Sequence, residues 1–181
     1  MYNLRSHGIV RNQEDMLNKK HGQWYYEQID LGFNYRLNDL QAALGISQLK
    51  KLDDFVSKRT NIYRKYNSIF ENDKDIILPY QNSQTKSSFH LYILRIKKKG
   101  KLDRKVIFEK LRNNGIFVNI HYIPIYKQPF YEKDYISKNF PNAESYYEEA
   151  ISLPIFPNLK LKEIKFVAET IKNPTNYQNI F

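Results

Sequence analysis

Two polar stretches of the sequence contain residue types that can contact a ligand. The first covers residues 30–45, in which Gly32, an aromatic residue and Asn34 form a turn that leads into a helix start rich in small residues. The second covers residues 119–124, where an apolar segment ends and a loop bounded by Pro124 begins. Side chains at a strand end followed by a loop are well placed to face a ligand. Both stretches are therefore candidates for a binding site.

Taken singly, the same residues also have structural explanations. An asparagine that follows an aromatic residue before a helix, as Asn34 does, is most often a cap or turn residue. His121 alone is more typical of a partly buried histidine with a hydrogen-bond partner than of a ligand contact. Packing of the ring against the protein, with the hydroxyl at the surface, would equally explain Tyr122, Tyr126 and Tyr131. Residue type alone leaves both interpretations open.

Several classes of active site are disfavoured by residues that are missing. The chain has no cysteine, which excludes a disulfide framework, a thiolate metal site and a cysteine nucleophile. Its six glycines are scattered singly, so there is no glycine-rich phosphate loop. The four histidines, His7, His21, His90 and His121, lack metal-ligand spacing. No serine has the surroundings of a nucleophile elbow. A self-contained active site is not evident.

Composition indicates one ordinary domain with a positive charge. The chain has 181 residues, 41% of them apolar, and 29 Lys plus Arg against 19 Asp plus Glu give a formal charge of +10. Nucleic acid, a membrane surface and phosphorylated metabolites are all compatible partners for such a charge. The densest basic run, residues 97–101, includes Gly100 and is more typical of an exposed turn than of a nucleic-acid patch. No signal peptide and no apolar run of ~20 residues is present, so a soluble, cytoplasmic protein is expected.

The elements that must position the two stretches follow an irregular opening of thirty-odd residues. Over residues 37–70, apolar side chains recur at spacings of three and four without proline, which predicts one long amphipathic helix with Asn38 as its N-cap and Gln41 three residues later. Residues 103–114 are predicted to form a helix that begins near Asp103 and ends before Gly115. The remaining predicted elements are extended segments at 76–79, 89–96, 116–120 and 151–154, helices at 143–150 and 161–171, and an irregular stretch at 122–140. This order predicts an α+β fold, with a long leading helix and a small sheet covered by helices on one face.

The motifs together resemble those of the DegT/DnrJ/EryC1/StrS family of nucleotide-sugar aminotransferases, which depend on pyridoxal 5'-phosphate (PLP). The resemblance extends over essentially the whole chain. It is most similar to the subgroup that aminates C4 of a UDP-linked 4-keto-6-deoxy-N-acetylhexosamine in pseudaminic acid biosynthesis. The segments that carry it are Arg-Ser-His-Gly at 5–8, Trp-Tyr-Tyr-Glu at 24–27, Gly-Phe-Asn-Tyr-Arg at 32–36, Gln-Leu-Lys-Lys-Leu-Asp at 48–53 and His-Tyr-Ile-Pro at 121–124.

The resemblance implies a fold-type-I aminotransferase that acts as a homodimer, with active sites at the subunit interface. Residues 1–35 would be the tail of a larger domain and its connection, and residues 36–181 the C-terminal small domain. Asn34 would reach the cofactor phosphate or the substrate of the neighbouring subunit, since its amide donates without adding a charge. Arg36 would hold a phosphate or form a structural ion pair.

The second stretch would recognise the nucleotide sugar. Asn119, Ile120, His121 and Tyr122 match the part of the family that contacts this substrate, and His121 and Tyr122 offer donors to hydroxyl or phosphate oxygens. Glutamate is the expected amino donor. No metal and no membrane or nucleic-acid partner is expected.

The sequence departs from the family in one respect. Family members place the lysine that binds PLP covalently in a larger N-terminal domain ahead of Arg-Ser-His-Gly, which here begins at residue 5. No catalytic residue is therefore assigned, and the chain alone is expected to be inactive unless a separately encoded N-terminal domain completes it. A non-catalytic remnant and a basic nucleic-acid-binding module stay as alternatives; strongly salt-dependent oligonucleotide binding would favour the latter.

Overall fold

A computed structural model describes residues 1–19, 22–98, 100–131 and 140–173. The chain divides into two compact units, Met1–Lys51 and Leu52–Phe181. Two predictions fall partly outside the described residues: Lys99 of the basic run, and residues 132–139 of the irregular stretch. Among the described residues, no helix is long and apolar enough to cross a membrane.

The first unit is built mainly from paired backbone segments rather than from a large apolar core. Strand β1 (Ile9–Val10) pairs antiparallel with β2 (Glu27–Gln28). Helix α1 (Asp39–Leu49) follows, and none of its residues is buried. The predicted cap is confirmed, because Asn38 Oδ1 accepts from the Gln41 N–H at 2.9 Å and Gln41 Oε1 accepts from the Asn38 N–H at 3.1 Å.

The prediction of one uninterrupted helix over residues 37–70 is wrong at its middle. Helix α1 ends at Leu49, and α2 covers Leu52–Phe70. At the break, the Lys51 N–H donates to the carbonyl of Gln48, three residues back, at 3.0 Å. Asp53 and Asp54 lie in the first turn of α2, where carboxylates stabilise a helix start. The spacing of apolar residues alone does not predict that a second helix starts here.

The second unit contains a three-stranded antiparallel sheet in the order β3-β4-β5. Its strands are β3 (Ile76–Ile77), β4 (Tyr92–Ile96) and β5 (Ala150–Leu153). Strand β4 is shorter than the predicted 89–96, since Phe89 has a φ of 46° and leaves the extended conformation. The predicted strand at 116–120 is reduced to a single bridge between Asn119 and Ser152.

Helices cover the sheet and close the core. Besides α2, they are α3 (Arg104–Asn113), α4 (Pro141–Glu149) and α5 (Leu161–Lys172). The predicted start and end of α3 are confirmed, because Asp103 accepts from the Val106 N–H at 2.9 Å and Gly115 has a φ of 73°. Alternate side chains of β4 are buried, as expected when one face of a strand packs on helices. The core contains, among others, Ile62, Tyr66, Tyr92, Leu94, Ile107, Leu111, Ile151, Ile164 and Ile171.

Candidate functional site

The Arg-Ser-His-Gly and Gly-Phe-Asn-Tyr-Arg motifs lie side by side in the first unit. The Phe33 N–H donates to the Leu4 carbonyl at 2.9 Å, the His7 N–H to the Phe33 carbonyl at 3.1 Å and the Tyr35 N–H to the Arg5 carbonyl at 2.9 Å. Ser6 and Asn34 form an antiparallel bridge between them. Two motifs that are 24 or more residues apart in sequence thus form one short antiparallel ladder, called here the motif ladder.

Two glycines make this approach possible. Gly8 has a φ of 68°, and a Cβ there would lie 1.9 Å from the carbonyl oxygen of Asp30. A Cβ on Gly32 would lie 2.3 Å from the backbone nitrogen of Gly8. Neither position has room for a side chain, so the two motifs require glycine at these points.

Asn34 and Arg36 are both exposed and alternate with aromatic residues along the ladder. The rings of Phe33 and Tyr35 stack at 5.5 Å, which places them together on one face, and the alternation of an extended segment directs Asn34 and Arg36 the other way. Within the described part of the chain, neither polar side chain has a hydrogen-bond or ion-pair partner. An amide and a guanidinium are thus available to a ligand.

The second motif lies in the second unit and is attached to β5. The Ser152 N–H donates to the Asn119 carbonyl at 2.8 Å, and the Nδ1 atom of His121 is 2.7 Å from Ser152 Oγ. Ser152 is 5% exposed, so this contact is shielded from solvent. The Asn119 side chain accepts from the Ile120 N–H at 2.8 Å, which shapes the start of the loop.

Tyr122 contrasts with His121 because it projects into solvent. Its side chain is 72% exposed, and its ring meets the His121 ring edge-on at 4.6 Å. Ile120 is half-buried. His121 therefore has a fixed position, and Tyr122 offers a free aromatic face and hydroxyl beside it. Asn34 and Arg36 belong to the first unit and these residues to the second.

Two groups near this motif were not anticipated from the sequence. Ser152 is the buried partner of His121. The sequence feature that could have pointed to it is a serine within the otherwise apolar strand Ala150–Leu153. The other group is an ion pair between Lys127, which follows in the same loop, and Glu144 of α4. Lys127 Nζ lies 2.6 Å from Glu144 Oε2. This hydrogen bond lowers the pKa of Glu144, while burial and the nearby carboxylate raise the pKa of Tyr126.

Among the described residues, no cluster of three or more His, Asp and Glu side chains is suited to a metal ion. The available donors are amide, guanidinium, imidazole and phenol groups. They suit phosphate and hydroxyl oxygens, which accept hydrogen bonds from such groups.

Known proteins with similar sequences and structures cover this chain almost completely. A UDP-4-amino-4,6-dideoxy-N-acetyl-beta-L-altrosamine transaminase of Campylobacter jejuni is 36% identical over 168 residues, which is 93% of this chain and 42% of that protein. The structure of Helicobacter pylori PseC, an aminotransferase involved in the biosynthesis of pseudoaminic acid, matches with a TM-score of 0.79 and 32% identity, over 96% of this chain and 44% of that one. The PMP-form of Spr1654 from Streptococcus pneumoniae matches with a TM-score of 0.80 and 28% identity, over 96% of this chain and 43% of that one.

These similarities define the fold and its extent. The chain has part of the fold-type-I aminotransferase fold and spans less than half the length of these relatives. Residues 1–172 match the DegT/DnrJ/EryC1/StrS aminotransferase family over both units. The motif ladder and the segment 119–122 both fall within this range, and we conclude that the chain belongs to the DegT/DnrJ/EryC1/StrS aminotransferase family.

Proposed function

We propose that this chain is the C-terminal portion of a PLP-dependent nucleotide-sugar aminotransferase. The complete enzyme would transfer an amino group from glutamate to C4 of a UDP-linked 4-keto-6-deoxy-N-acetylhexosamine in the cytoplasm. The observation on which the proposal depends is the motif ladder, in which pairing of two family motifs leaves the Asn34 amide exposed and unpartnered within the described residues.

The donors on the ladder fit the phosphate group of PLP. The Asn34 NH₂ can donate to a phosphate oxygen without adding a charge, and the Arg36 guanidinium can donate two parallel hydrogen bonds. PLP, when bound, would supply the electron sink for amino transfer. The described residues would hold and orient its phosphate, and the lysine that moves protons would come from the part of the family fold beyond this chain's match.

The segment Asn119–Tyr122 fits recognition of the nucleotide sugar. Ser152 fixes the imidazole of His121 through a 2.7 Å contact, so the opposite ring nitrogen, Nε2, has a defined direction. A fixed imidazole can form a directed hydrogen bond with a hydroxyl or phosphate oxygen. The exposed ring of Tyr122 can stack on a flat base or sugar face.

The complete enzyme requires the rest of the family fold. The chain spans 42% of its Campylobacter relative, and α1 exposes large apolar side chains that include Leu40 at 84% and Leu44 at 62%. Exposed apolar area of this kind is typical of a protein interface. We expect it to be covered by the rest of the family fold, within an assembly that contains two copies of this chain.

The basic run supports a metabolite ligand over a nucleic acid. Lys98 Nζ is paired with Glu148 at 2.6 Å, and Lys97 Nζ donates to the carbonyl of Lys74 at 2.5 Å. Two lysines of the run thus bind partners within the protein, as is typical of a structural turn rather than of a nucleic-acid-binding patch.

Borohydride reduction in the presence of PLP, followed by intact-mass measurement, tests the proposal. The chain is treated alone and after co-expression with the polypeptide encoded immediately upstream. An adduct only on the upstream partner, in a complex that co-purifies, is the expected result. An adduct on this chain alone would mean that one of its own lysines binds PLP, and no adduct in either sample would favour a non-catalytic remnant.

The Asn34→Ala variant tests the cofactor contact in the same complex. Loss of one donor to a charged phosphate should weaken PLP retention by roughly tenfold. Asn61→Ala is a matched control, since Asn61 is an exposed asparagine of α2 in the other unit. Unchanged PLP affinity and turnover in Asn34→Ala would contradict the assignment.

A further inference from the structure

The segment 121–127, called here the recognition loop, is anchored to the second unit at both of its ends. At the first anchor, Nδ1 of His121 lies 2.7 Å from Oγ of Ser152 in β5. The second anchor is Ile125–Lys127, which forms one turn of 3₁₀ helix beside α4. Between the anchors, Tyr122 and Ile123 are exposed. A loop fixed at both ends has fewer conformations than a loop fixed at one end.

Two aromatic rings form the apolar part of the second anchor. Tyr126 is 8% exposed, and its ring stacks at 4.5 Å on that of Phe140, the residue that precedes α4. The turn is closed by its own backbone, because the Lys127 N–H donates to the Pro124 carbonyl at 2.9 Å. The turn is therefore packed as a unit against the start of α4.

An ion pair forms the polar part of the second anchor. Lys127 Nζ lies 2.6 Å from Glu144 Oε2 and 5.5 Å from the centre of the Tyr147 ring, so α4 supplies both contacts of this ammonium group. The hydrogen bond lowers the pKa of Glu144 and raises the pKa of Lys127, so both groups are charged at neutral pH. Because the Glu144 side chain is only 22% exposed, solvent screens this pair less than a fully exposed one.

Helix α4 is itself attached to the sheet and can serve as a fixed support. Arg95 of β4 donates two hydrogen bonds to Oε2 of the buried Glu149, at 3.0 and 2.6 Å. Arg95 also lies over the Tyr146 ring at 5.7 Å. Both ends of the recognition loop are thus attached to the same three-stranded sheet, one through β5 and the other through α4 and β4.

We infer that Glu144 is a positioning residue for nucleotide-sugar recognition, which it serves by holding Lys127 and thereby the loop that presents Tyr122. The inference rests on the proposed function of the segment Asn119–Tyr122. Glu144 acts through Lys127 and not by touching the ligand. Its effect is to restrict the recognition loop before the ligand binds, so that less conformational freedom is lost on binding.

Glu144→Gln and Lys127→Met test this anchor in the full 181-residue chain. Hydrogen exchange at the Lys127 and Gln128 amides, whose hydrogen bonds close the turn, should become faster by roughly twofold to fivefold. The His121 ring signals should stay unchanged, since the first anchor depends on Ser152. Lys127→Arg keeps the positive charge and should retain the slow exchange.

Glu148→Gln is the matched control. Glu148 lies in the same helix and forms an ion pair of the same length, 2.6 Å, but its partner is Lys98 outside the recognition loop. Exchange at the Lys127 and Gln128 amides should therefore equal that of the unchanged chain. The Lys127→Met/Glu144→Gln double variant should exchange no faster than either single variant, because both changes remove the same interaction.

Kinetics in the reconstituted complex distinguish positioning from a role in folding alone. Glu144→Gln should raise the KM for the nucleotide sugar by roughly twofold to fivefold, with kcat and PLP retention nearly unchanged. A residue that only stabilised the fold would leave KM unchanged and lower the apparent kcat, through loss of folded enzyme.

Two results would overturn the inference. One is equal exchange at the Lys127 and Gln128 amides in Glu144→Gln and the unchanged chain. The other is an unchanged KM in an active complex whose recognition loop has loosened. Failure of the proposed function is a separate result, because a complex without transaminase activity would remove that assignment, while faster exchange in Glu144→Gln would still show that Glu144 fixes the loop.

Discussion

The Nδ1 atom of His121 lies 2.7 Å from the hydroxyl oxygen of Ser152, a residue of β5 that is 5% exposed. The same serine pairs through its backbone with Asn119. The sheet of the second unit therefore sets both the path of the loop and the direction of the imidazole. The Ser152 hydroxyl can donate to this ring nitrogen or accept from it, so the contact sets the direction of the ring and leaves the other nitrogen for a ligand.

Ser152→Ala should release the His121 ring without unfolding the second unit. We expect the His121 ring nitrogen signals in NMR spectra to shift, while those of His90 stay unchanged. In the reconstituted complex, the KM for the nucleotide sugar should rise more than kcat falls, since positioning of substrate is affected. Ser68→Ala, an exposed serine of α2, is the control. Unchanged His121 signals would mean that Ser152 does not orient the ring.

Gly32→Ala should disrupt the motif ladder. A methyl group there would lie 2.3 Å from the Gly8 nitrogen, a distance that real Cβ atoms essentially never show. We expect faster hydrogen exchange at the Phe33 and Tyr35 amides, with the amides of β4 unaffected. Gly45→Ala is the matched control, because a Cβ added there would meet nothing within 4 Å outside its own stretch of helix, and alanine in α1 should stabilise the helix by about 0.5–1 kcal/mol. Equal exchange rates in both variants would contradict the close approach of the two motifs.

Local signals in the sequence were sufficient for most of the fold. The caps at Asn38 and Asp103 and the end of α3 at Gly115 involve residues at most four positions apart, so they can be predicted from neighbours alone. The strands β4 and β5 were located, but their ends were not, because the φ of Phe89 and the single bridge at Asn119 depend on tertiary context.

The candidate site was only partly predictable for the same reason. Asn34 and His121 were singled out by their motifs, whereas Ser152 lies 31 residues from His121 and contributes through a contact that no local pattern contains. Glu144 was also missed. Its pairing with Lys127 depends on the tertiary contact between the recognition loop and α4.

The buried Tyr92 hydroxyl should stabilise the second unit through Asn67. Tyr92 Oη donates to Asn67 Oδ1 at 2.9 Å, so Tyr92→Phe should lower the free energy of unfolding by about 1 kcal/mol. Burial also raises the pKa of Tyr92, so the folded state disfavours the phenolate and stability should fall as the pH rises above the ordinary value of 10.0. Chemical denaturation at neutral and alkaline pH measures both effects, and the alkaline loss should be smaller in Tyr92→Phe. Tyr80→Phe, at an 89% exposed position, should change neither.

Glu27 should make the first unit sensitive to acid. Burial alone would raise its pKa, but hydrogen bonds from Asn18, the Leu17 N–H and the Tyr25 hydroxyl outweigh burial and lower it. A carboxyl whose folded pKa lies below its unfolded value stabilises the fold above that unfolded value, and this stabilisation is lost as the pH falls through the folded pKa. We therefore expect the Leu17 amide, which donates to Glu27 Oε2 at 2.6 Å, to lose protection from hydrogen exchange below the ordinary pKa of 4.5.

Glu27→Gln tests that interpretation. An amide side chain has one acceptor oxygen in place of two, so the Leu17 amide should already be less protected at neutral pH and its acid dependence should flatten. The exposed Glu14 provides the control, and Glu14→Gln should leave the profile unchanged. An identical acid profile in Glu27→Gln would assign the sensitivity to another group.

Polar substitutions on α1 should separate assembly from folding. No residue of α1 is buried, so Leu40→Gln and Leu44→Gln should leave the thermal unfolding of the chain nearly unchanged. If α1 is the surface covered by the upstream polypeptide, both variants should reduce co-purification, since two apolar side chains would lose their burial in the complex. Gln48→Glu adds polarity to the same helix at a position that is already polar and is the matched control. Normal recovery of the complex with the Leu40→Gln/Leu44→Gln double variant would place the interface elsewhere, and loss of thermal stability would mean that these leucines pack within the chain itself.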